Sequence, residues 1–311
     1  ELFRAGLVLY MGRHAYGNTH SSDLWACWEE VSGRPIRAMM DSWTRQQGFP
    51  LLVVSDSGGS VRGGGRGLQL SQRWFLADGS QEPGDEEKLW HMPLLPGPLT
   101  ATTSAATPEI FSQREAAWRG SPRGDASWLK FNFGQVAPYR VLYAGAASRA
   151  ALVEAVRAGA VGVADRIGLL LDGLALAREG SLPVAELLSL VAAFGGEENA
   201  HVWEALAGVL AQLHKAVAFL PSATTGLKGR LEVAVAAALV RPALRTCGWQ
   251  SDSPSEGDLS RKRRALVIAM AARFLLNDPA VVQEARQRLD AWLAQAAHGS
   301  GSASQAEVEA A

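Results

Sequence analysis

The first fifty residues carry apolar positions that recur three and four residues apart. This spacing places their side chains on one face of an α-helix, and the positions are Leu7, Tyr10, Met11, Ile36, Met39, Met40 and Trp43. Ser22 or Asp23 is predicted to cap a further helix between these two sets. The sequence Gly48-Phe49-Pro50 is predicted to end the helical stretch, because a proline biases the residue before it toward an extended backbone.

The pattern changes after Leu51 to short runs in which apolar and polar residues alternate. Such runs are typical of β-strands, and they cover 51–54, 68–71, 90–94, 128–133 and 139–143. The run with Pro93 is predicted to be an edge strand, since proline cannot donate to a ladder. Because Gly, Pro, Ser and Thr separate the runs, the region predicts a small antiparallel β-sandwich.

After Ser148 the chain is rich in Ala and Leu at helical spacing. The predicted helices lie near 149–158, 165–179, 183–195, 200–219, 230–247, 260–276 and 279–297. Short connections favour antiparallel helix pairs stacked as in an α-solenoid, although no repeated sequence is found. The Gly- and Ser-rich segment from His298 predicts a disordered tail.

Composition narrows the class of protein. The chain has 311 residues, 48% of them hydrophobic and 20% charged, which is typical of globular domains. Lys and Arg number 30 against 31 Asp and Glu, so no overall basic excess favours nucleic acid as a partner. The two cysteines, Cys27 and Cys247, exclude a disulfide-rich scaffold. No apolar run is long enough for a bilayer, and we expect a cytoplasmic protein with no membrane partner.

The start of the chain offers no targeting signal. Glu1 is not an initiator Met, and no basic, apolar and small-residue regions follow it in the order of a signal peptide. The sequence is therefore expected to begin inside something larger.

A search for metal ligands yields one weak grouping. None of the six histidines belongs to a His-Glu-x-x-His sequence. His14, His20 and Asp23 lie nearest one another, but the two histidines are almost two helical turns apart, and a tetrahedral ion needs three or four converging ligands. We expect His14 on a helix surface and His20 in a loop.

Two segments, one rich in Gly and one rich in basic residues, allow specific functional hypotheses. The segment Gly58–Gly67 resembles an Arg-Gly-Gly element that could contact RNA through Arg62 and Arg66. It joins two strand-like runs, however, which favours a flexible hairpin connection. The run Arg261–Arg264 could be a localisation signal or a polyanion patch, but its place before an apolar helix favours a solvated first turn.

Several blocks of residues occur together over roughly residues 1 to 290, in an order and spacing that resemble one family. These blocks are Gly6-Leu7, Tyr10, His14, Asn18, Asp23-Leu24-Trp25, Ser32-Gly33, Met40, Trp43–Pro50, Leu70–Phe75, Trp90–Pro93, Trp128-Leu129-Lys130, Asn132, Gly134-Gln135, Tyr139-Arg140-Val141, Asp165–Leu169, Asp172, Leu176-Ala177 and Gly180. Together they resemble the C-terminal part of zinc aminopeptidases of the gluzincin class, in particular the puromycin-sensitive group.

Some of these blocks allow physical expectations. Asp165 is predicted near a helix start. There its negative charge offsets the positive end of the helix dipole, and its carboxylate can pair locally. Tyr139-Arg140 is expected to brace the sandwich, and Trp43 with Trp90 to pack in the core or pin domains together. Ala137-Pro138 departs from the family pattern, and Pro138 puts strand pairing there in doubt because it lacks an amide donor.

The resemblance implies a division into four parts. Residues 1–50 would be the last helices of the catalytic, thermolysin-like domain, and residues 51–147 an antiparallel β-sandwich. Residues 148–297 would form an incomplete α-helical, solenoid-like domain, and residues 298–311 a disordered tail. The fold class is therefore multidomain, with α and β parts.

The resemblance also implies where the chemistry lies. Whole enzymes of this family remove N-terminal residues from peptides with zinc held by His-Glu-x-x-His and a later Glu. A Gly-Ala/x-Met-Glu-Asn segment holds the amino terminus of the substrate. All of these elements lie upstream of Glu1 in the family order, so we expect no catalytic, cofactor-binding or metal-binding residue in this chain.

Three hypotheses remain for the chain. In the first, which we favour, it is a fragment of an active aminopeptidase that closes the peptide chamber and is inactive alone. In the second it is a separate, non-catalytic module that binds a peptide or protein through its helices. In the third and weakest, it contacts RNA through the Gly58–Gly67 loop.

Overall fold

The computed structural model describes residues 1–60, 66–80, 83–98, 109–118, 127–219, 225–251 and 255–308. The chain divides into two compact units, Glu1–Ala193 and Phe194–Ala311. The first unit contains helices and sheets, whereas the described part of the second unit is helical.

Three helices open the first unit, where the apolar spacing predicts helices. They are α1, Leu2–Arg13, α2, Ser21–Ser32, and α3, Ile36–Thr44. The N-cap of α2 is His20, and not Ser22 or Asp23 as predicted, but Asp23 completes a capping box from inside the helix, because its Oδ2 accepts the backbone N–H of His20 at 2.8 Å. Gly33 ends α2 in the left-handed region, with φ of 64°.

Helix α3 is tied to the segment that precedes the second sheet. The indole Nε1 of Trp43 donates to the carbonyl of His91 at 3.1 Å. Gln46 donates to the carbonyl of Leu89 at 2.7 Å. Trp90, between these acceptors, is fully buried, and its backbone N–H donates to Gln72 Oε1 at 2.9 Å. Trp90 is thus a core residue, and Trp43 links α3 to the same core.

The main sheet has four strands, which are β1, Pro50–Ser60, β2, Arg66–Trp74, β5, Glu115–Trp118, and β6, Arg140–Tyr143. Their order in the sheet is β5-β2-β1-β6. Strands β1 and β2 pair antiparallel with Val54 opposite Leu70, so the predicted hairpin is confirmed. Its connecting residues, 61–65, lie outside the described ranges.

The prediction that the β region is antiparallel throughout is wrong for strand β6. It pairs parallel to β1, with Leu52 beside Val141. A hairpin would force antiparallel pairing, but β6 reaches β1 only after the intervening strands, and a long connection can deliver a strand in either direction.

The second sheet pairs β3, Met92–Leu94, with β4, Glu109–Phe111. The predicted strand at Pro93 is therefore confirmed. The strand predicted over 128–133 is wrong, because only Lys130 forms a bridge there, opposite Gly97. Asn132 adopts the left-handed region, with φ of 51°, and turns the chain into a short 3-10 helix, Phe133–Gln135.

The remaining helices follow the blocks predicted from the Ala and Leu spacing. In the first unit they are α4, Ala146–Arg157, α5, Val163–Glu179, and α6, Val184–Ala192. In the second unit they are α7, Ala200–Ala218, α8, Thr225–Val235, a π-helical segment, Ala236–Val240, α9, Arg241–Cys247, α10, Asp258–Phe274, and α11, Pro279–Val308.

Helix α11 extends beyond the predicted end at residue 297, to Val308. It thus includes most of the segment for which the Gly and Ser composition predicts disorder. Extending a formed helix costs little per residue compared with starting one, so composition alone does not locate its end.

The second unit has its own apolar core. Trp203, Leu206 and Leu210 of α7 are buried, as are Val267 and Ala271 of α10. Within the described ranges, none of the helices combines the length and the apolar character needed to cross a bilayer.

Gly48 at the end of the helical stretch is predicted to be intolerant of a side chain. Its φ is 89°, and a Cβ there would collide with the indole of Trp74. We expect Gly48→Ala to lower the free energy of unfolding by about 3 kcal/mol, because left-handed strain and overpacking add. Urea denaturation followed by circular dichroism measures this change.

Gly33→Ala is the matched control. Gly33 also has a positive φ, of 64°, but nothing lies within 4 Å of a Cβ there. It should cost about 1 kcal/mol, from strain alone. Equal losses in the two variants would show that contact with Trp74 does not matter.

Candidate functional site

A buried ion pair joins the sheet region to helix α5. Lys130 and Asp165 are each 2% exposed, and Lys130 Nζ lies 2.8 Å from Asp165 Oδ1. The same carboxylate oxygen accepts the backbone N–H of Gly134 at 2.8 Å. Asp165 lies in the first turn of α5, where the helix dipole favours a negative charge. Its partner is therefore distant in sequence, and not local as predicted.

Every donor of the buried ammonium group has an acceptor. Besides Asp165, Lys130 Nζ donates to the carbonyls of Phe131 and Asn132, each at 3.2 Å. An ammonium group has three N–H donors, so these contacts satisfy it. The Lys130 backbone pairs with Gly97 in both directions, at 2.8 and 2.9 Å. The lysine is thus fixed at both ends, which suits a structural role.

Asn132 organises the loop that follows Lys130. Its Nδ2 donates to the carbonyls of Ala137 and Tyr139, at 2.8 and 3.0 Å, and its Oδ1 accepts the N–H of Ala137 at 3.0 Å. Asparagine adopts the left-handed region more readily than most residues. The asparagine side chain therefore supplies partners on both sides of Pro138, which itself has no N–H.

Two tyrosine hydroxyls near this loop form hydrogen bonds with the backbone. The hydroxyl of Tyr143 accepts the backbone N–H of Phe131 at 2.8 Å. The hydroxyl of Tyr139 donates to the carbonyl of Pro93 at 3.0 Å. Burial raises the pKa of both tyrosines above the ordinary value, so the hydroxyls stay protonated. Tyr139, directly before β6, is thus linked to Pro93 of β3 in the second sheet.

A second ion pair lies two turns further along α5. Arg140 Nη1 is 2.8 Å from Asp172 Oδ1, and the other carboxylate oxygen accepts the N–H of Val141 at 3.2 Å. The guanidinium also lies 5.0 Å from the ring centre of Phe75 and 5.8 Å from that of Phe49, within cation–π range. Burial raises the pKa of Asp172, while Arg140 lowers it.

Further side chains fasten the helices to the sheet. Asp56 of β1 accepts the N–H of Ala147 at 3.0 Å and the hydroxyl of Ser148 at 2.5 Å, and so caps α4. Arg73 of β2 pairs with Glu179 and donates to Ser181 at 2.7 Å. Sequence reasoning missed both contacts, because the partners are distant in the chain and the block Leu70–Phe75, which contains Arg73, gives no indication of a partner in α5.

The grouping of His14, His20 and Asp23 does not form a metal site. The His14 ring centre lies 5.4 Å from that of Tyr10, with the rings tilted by 40°, whereas Asp23 accepts the backbone N–H of His20. Across the described residues, no group of three or more His, Cys, Asp or Glu side chains could hold a metal ion. The zinc that the family resemblance implies therefore does not fit the described part of the chain.

The basic run at the start of α10 is neutralised by partners within the chain. Arg261 pairs with Asp258, Lys262 with Glu204 and Arg264 with Glu256, and Arg263 donates to the carbonyl of Glu198. These contacts favour the solvated helix turn over a polyanion patch. Of the two arginines considered for RNA contact, Arg62 lies outside the described residues and Arg66 begins β2.

Comparison with known proteins gives the family. A sequence model of the ERAP1-like C-terminal domain matches residues 128–307, which is more than half of the chain. The chain belongs to this family. The matched region begins at Trp128, and so includes Lys130, Asn132 and Asp165, which build the buried network.

Curated relatives of this ERAP1-like chain are aminopeptidases. Aminopeptidase M1-B of Oryza sativa subsp. japonica is 30% identical over 266 residues, which cover 83% of this chain and 28% of the relative. Puromycin-sensitive aminopeptidase of Caenorhabditis elegans is 29% identical over 205 residues, 66% of this chain and 21% of the relative. Aminopeptidase N of Lactococcus lactis subsp. lactis (strain IL1403) is 30% identical over 220 residues, 68% and 23%.

The chain thus spans less than a third of the length of these relatives. The expected resemblance to the C-terminal part of a zinc aminopeptidase of the puromycin-sensitive group is confirmed.

Removing the buried lysine should destabilise this ERAP1-like domain strongly. Lys130→Met leaves the Asp165 carboxylate buried without its cation, and we expect a loss of about 3–5 kcal/mol in the free energy of unfolding. The double variant Lys130→Met/Asp165→Leu removes both charges and should recover most of that loss. Urea denaturation of both variants tests the coupling.

Lys262→Met serves as the control for loss of a lysine. Lys262 lies 2.7 Å from Glu204 in an exposed pair, which contributes little because water screens it. We expect almost no change. A double variant as unstable as Lys130→Met would contradict the interpretation that an unpaired buried charge causes the loss.

The charge of Asp172 should make stability depend on pH in a defined direction. Burial raises the pKa of Asp172 above its ordinary value of 3.8, so the folded protein holds this proton more tightly than the unfolded chain. The stability contributed by Asp172 therefore falls as the pH rises from 3.8 toward the raised pKa.

Asp172→Asn removes this titration. We expect the free energy of unfolding of the wild type minus that of the variant to decrease over the range from the ordinary pKa of 3.8 up to the raised pKa of the folded protein. Urea denaturation across that range measures the difference, in which other titrating groups cancel. A difference that grows with pH would overturn the assignment.

Proposed function

We propose that this chain is the C-terminal portion of a zinc metallo-aminopeptidase that removes N-terminal amino acids from peptides, and that it helps to close the chamber that holds the peptide. The observation that carries the proposal is the family match over residues 128–307. The aminopeptidase names of its relatives support it. The substrate would be a peptide, and neither nucleic acid nor membrane would be a partner.

The four-part organisation expected from the sequence belongs to this proposal. Residues 1–50 would complete a catalytic domain, 51–147 would form a β-sandwich, 148–297 a solenoid-like helical domain, and 298–311 a tail. The β-sandwich part of the proposal is supported by the hydrogen bond from Tyr139, directly before β6, to Pro93 of β3.

The catalytic zinc and its ligands would come from another part of the parent protein. The chain contains no His-Glu-x-x-His sequence, and the carboxylates of Asp165 and Asp172 are engaged by Lys130 and Arg140. We therefore assign no catalytic, cofactor-binding or metal-binding role to residues of this chain. A cytoplasmic location of the parent belongs to the same proposal.

The neighbouring coding sequence tests this function. We expect the reading frame upstream of Glu1 to encode His-Glu-x-x-His followed by a later Glu, and the Gly-Ala/x-Met-Glu-Asn segment. The chain alone should hold no stoichiometric zinc and should not cleave aminoacyl-coumarin substrates. The protein with the upstream segment restored should bind about one zinc per chain and cleave them.

The control is the restored protein with the Glu of His-Glu-x-x-His replaced by Gln. It should keep the zinc and lose the turnover, because that Glu would act as the general base. An upstream frame that stops at once, near an initiator Met, would contradict the proposal and favour the stand-alone binding module. Zinc-dependent turnover by the chain alone would overturn the assignment of no catalytic residues.

A further inference from the structure

A cleft of about 470 Å³ lies between helix α5 and the loop that precedes β6. We call it the α5 cleft. Its walls are Phe49, the loop from Gln135 to Arg140, and one face of α5 that includes Ala164, Ile167 and Leu171. Its volume falls within the range of roughly 300–1,000 Å³ that is common for small-molecule sites. All of its lining residues belong to the first unit.

The walls of the α5 cleft are mostly apolar. Phe49, Pro138, Ile167 and Leu171 all line it, and Leu171 is 47% exposed. An apolar wall with a few convergent polar groups is the usual make-up of a ligand site. Here the polar groups are Arg140, Asp172 and Gln135.

The charges in the cleft favour a neutral ligand. Arg140 and Asp172 form an ion pair of 2.8 Å, so an anion would meet the carboxylate and a cation would meet the guanidinium. Both oxygens of Asp172 already accept hydrogen bonds, from Arg140 and Val141. Both oxygens of Asp172 are thus engaged within the chain.

The Arg140 guanidinium, by contrast, still has N–H donors that are not used within the described part of the chain. A guanidinium has five N–H donors, of which one donates to Asp172, and 29% of the Arg140 side chain stays exposed. The guanidinium is held in place by that bond and by the rings of Phe49 and Phe75. A bound molecule would therefore have to supply an acceptor oxygen.

The loop beside the cleft holds Gln135 in a strained conformation. Its φ is 55°, a region that residues other than glycine adopt rarely and that clusters at ligand sites. The Gln135 amide lies so close to Gly168 of α5 that a Cβ there would collide with it. The Gln135 side chain, which lines the cleft, thus packs directly against α5.

We propose that the α5 cleft binds a small neutral molecule with a bulky apolar body and a carbonyl oxygen, with the carbonyl oxygen accepting from Arg140. The proposal is independent of the peptidase assignment, and its failure would leave that assignment unchanged.

N-acetyl-L-phenylalaninamide is a suitable probe, with binding to the full chain measured by saturation-transfer NMR titration. We expect it to bind at least tenfold more tightly than N-acetyl-L-phenylalanine, which is anionic, L-phenylalaninamide, which is cationic, and N-acetyl-L-alaninamide, which lacks the ring. Equal affinity for all four probes, or a preference for either charged one, would overturn the proposal.

Leu171→Trp should fill the cleft and weaken binding of N-acetyl-L-phenylalaninamide at least tenfold. The matched control is Leu289→Trp, since Leu289 is 54% exposed on α11 and lies outside the cleft. Ala164→Trp provides a second blocking variant at an exposed position, and circular dichroism checks the fold of each. Unchanged binding in a folded blocking variant, or equal loss in Leu289→Trp, would contradict the site.

Discussion

The first unit depends on one buried ion pair. A lysine charge removed from water costs several kcal/mol unless a counter-ion and further acceptors surround it, and Lys130 has Asp165 and two carbonyls at hydrogen-bond distance. These acceptors belong to the loop after the bridge with Gly97 and to helix α5. The loop and the helix must therefore keep their places for the charge to stay satisfied, and the pair fixes the register between them.

Fixing the start of α5 also fixes what lies further along it. Asp172 follows Asp165 by two helical turns and so shares its face, which brings it against Arg140 at the start of β6. The guanidinium then rests on the rings of Phe49 and Phe75. The neighbouring face of α5 stays uncovered beside the loop, and this geometry creates the α5 cleft.

Local sequence patterns predict much of the fold, but they do not predict the buried ion pair and the loop around it. Helices α4 to α7 follow from Ala and Leu periodicity, which depends on neighbouring residues alone. The alternation at 128–133 predicted a strand, because no local signal shows that Asn132 turns left-handed or that Lys130 points inward to a distant acid. Asp165 was placed correctly at a helix start, yet its partner lies in another element. Only the resemblance to a family drew attention to these residues.

The network also limits what this part of the chain can contribute chemically. General acid–base catalysis requires a group that can exchange a proton with the substrate, whereas Lys130, Asp165 and Asp172 are each engaged by partners within the chain. Burial keeps Tyr139 and Tyr143 protonated. The role of these groups is therefore to stabilise the fold of the first unit. If the parent is an aminopeptidase, as we propose, then a rigid junction between sheet and helices would let this segment hold a chamber wall in position while the chemistry proceeds elsewhere.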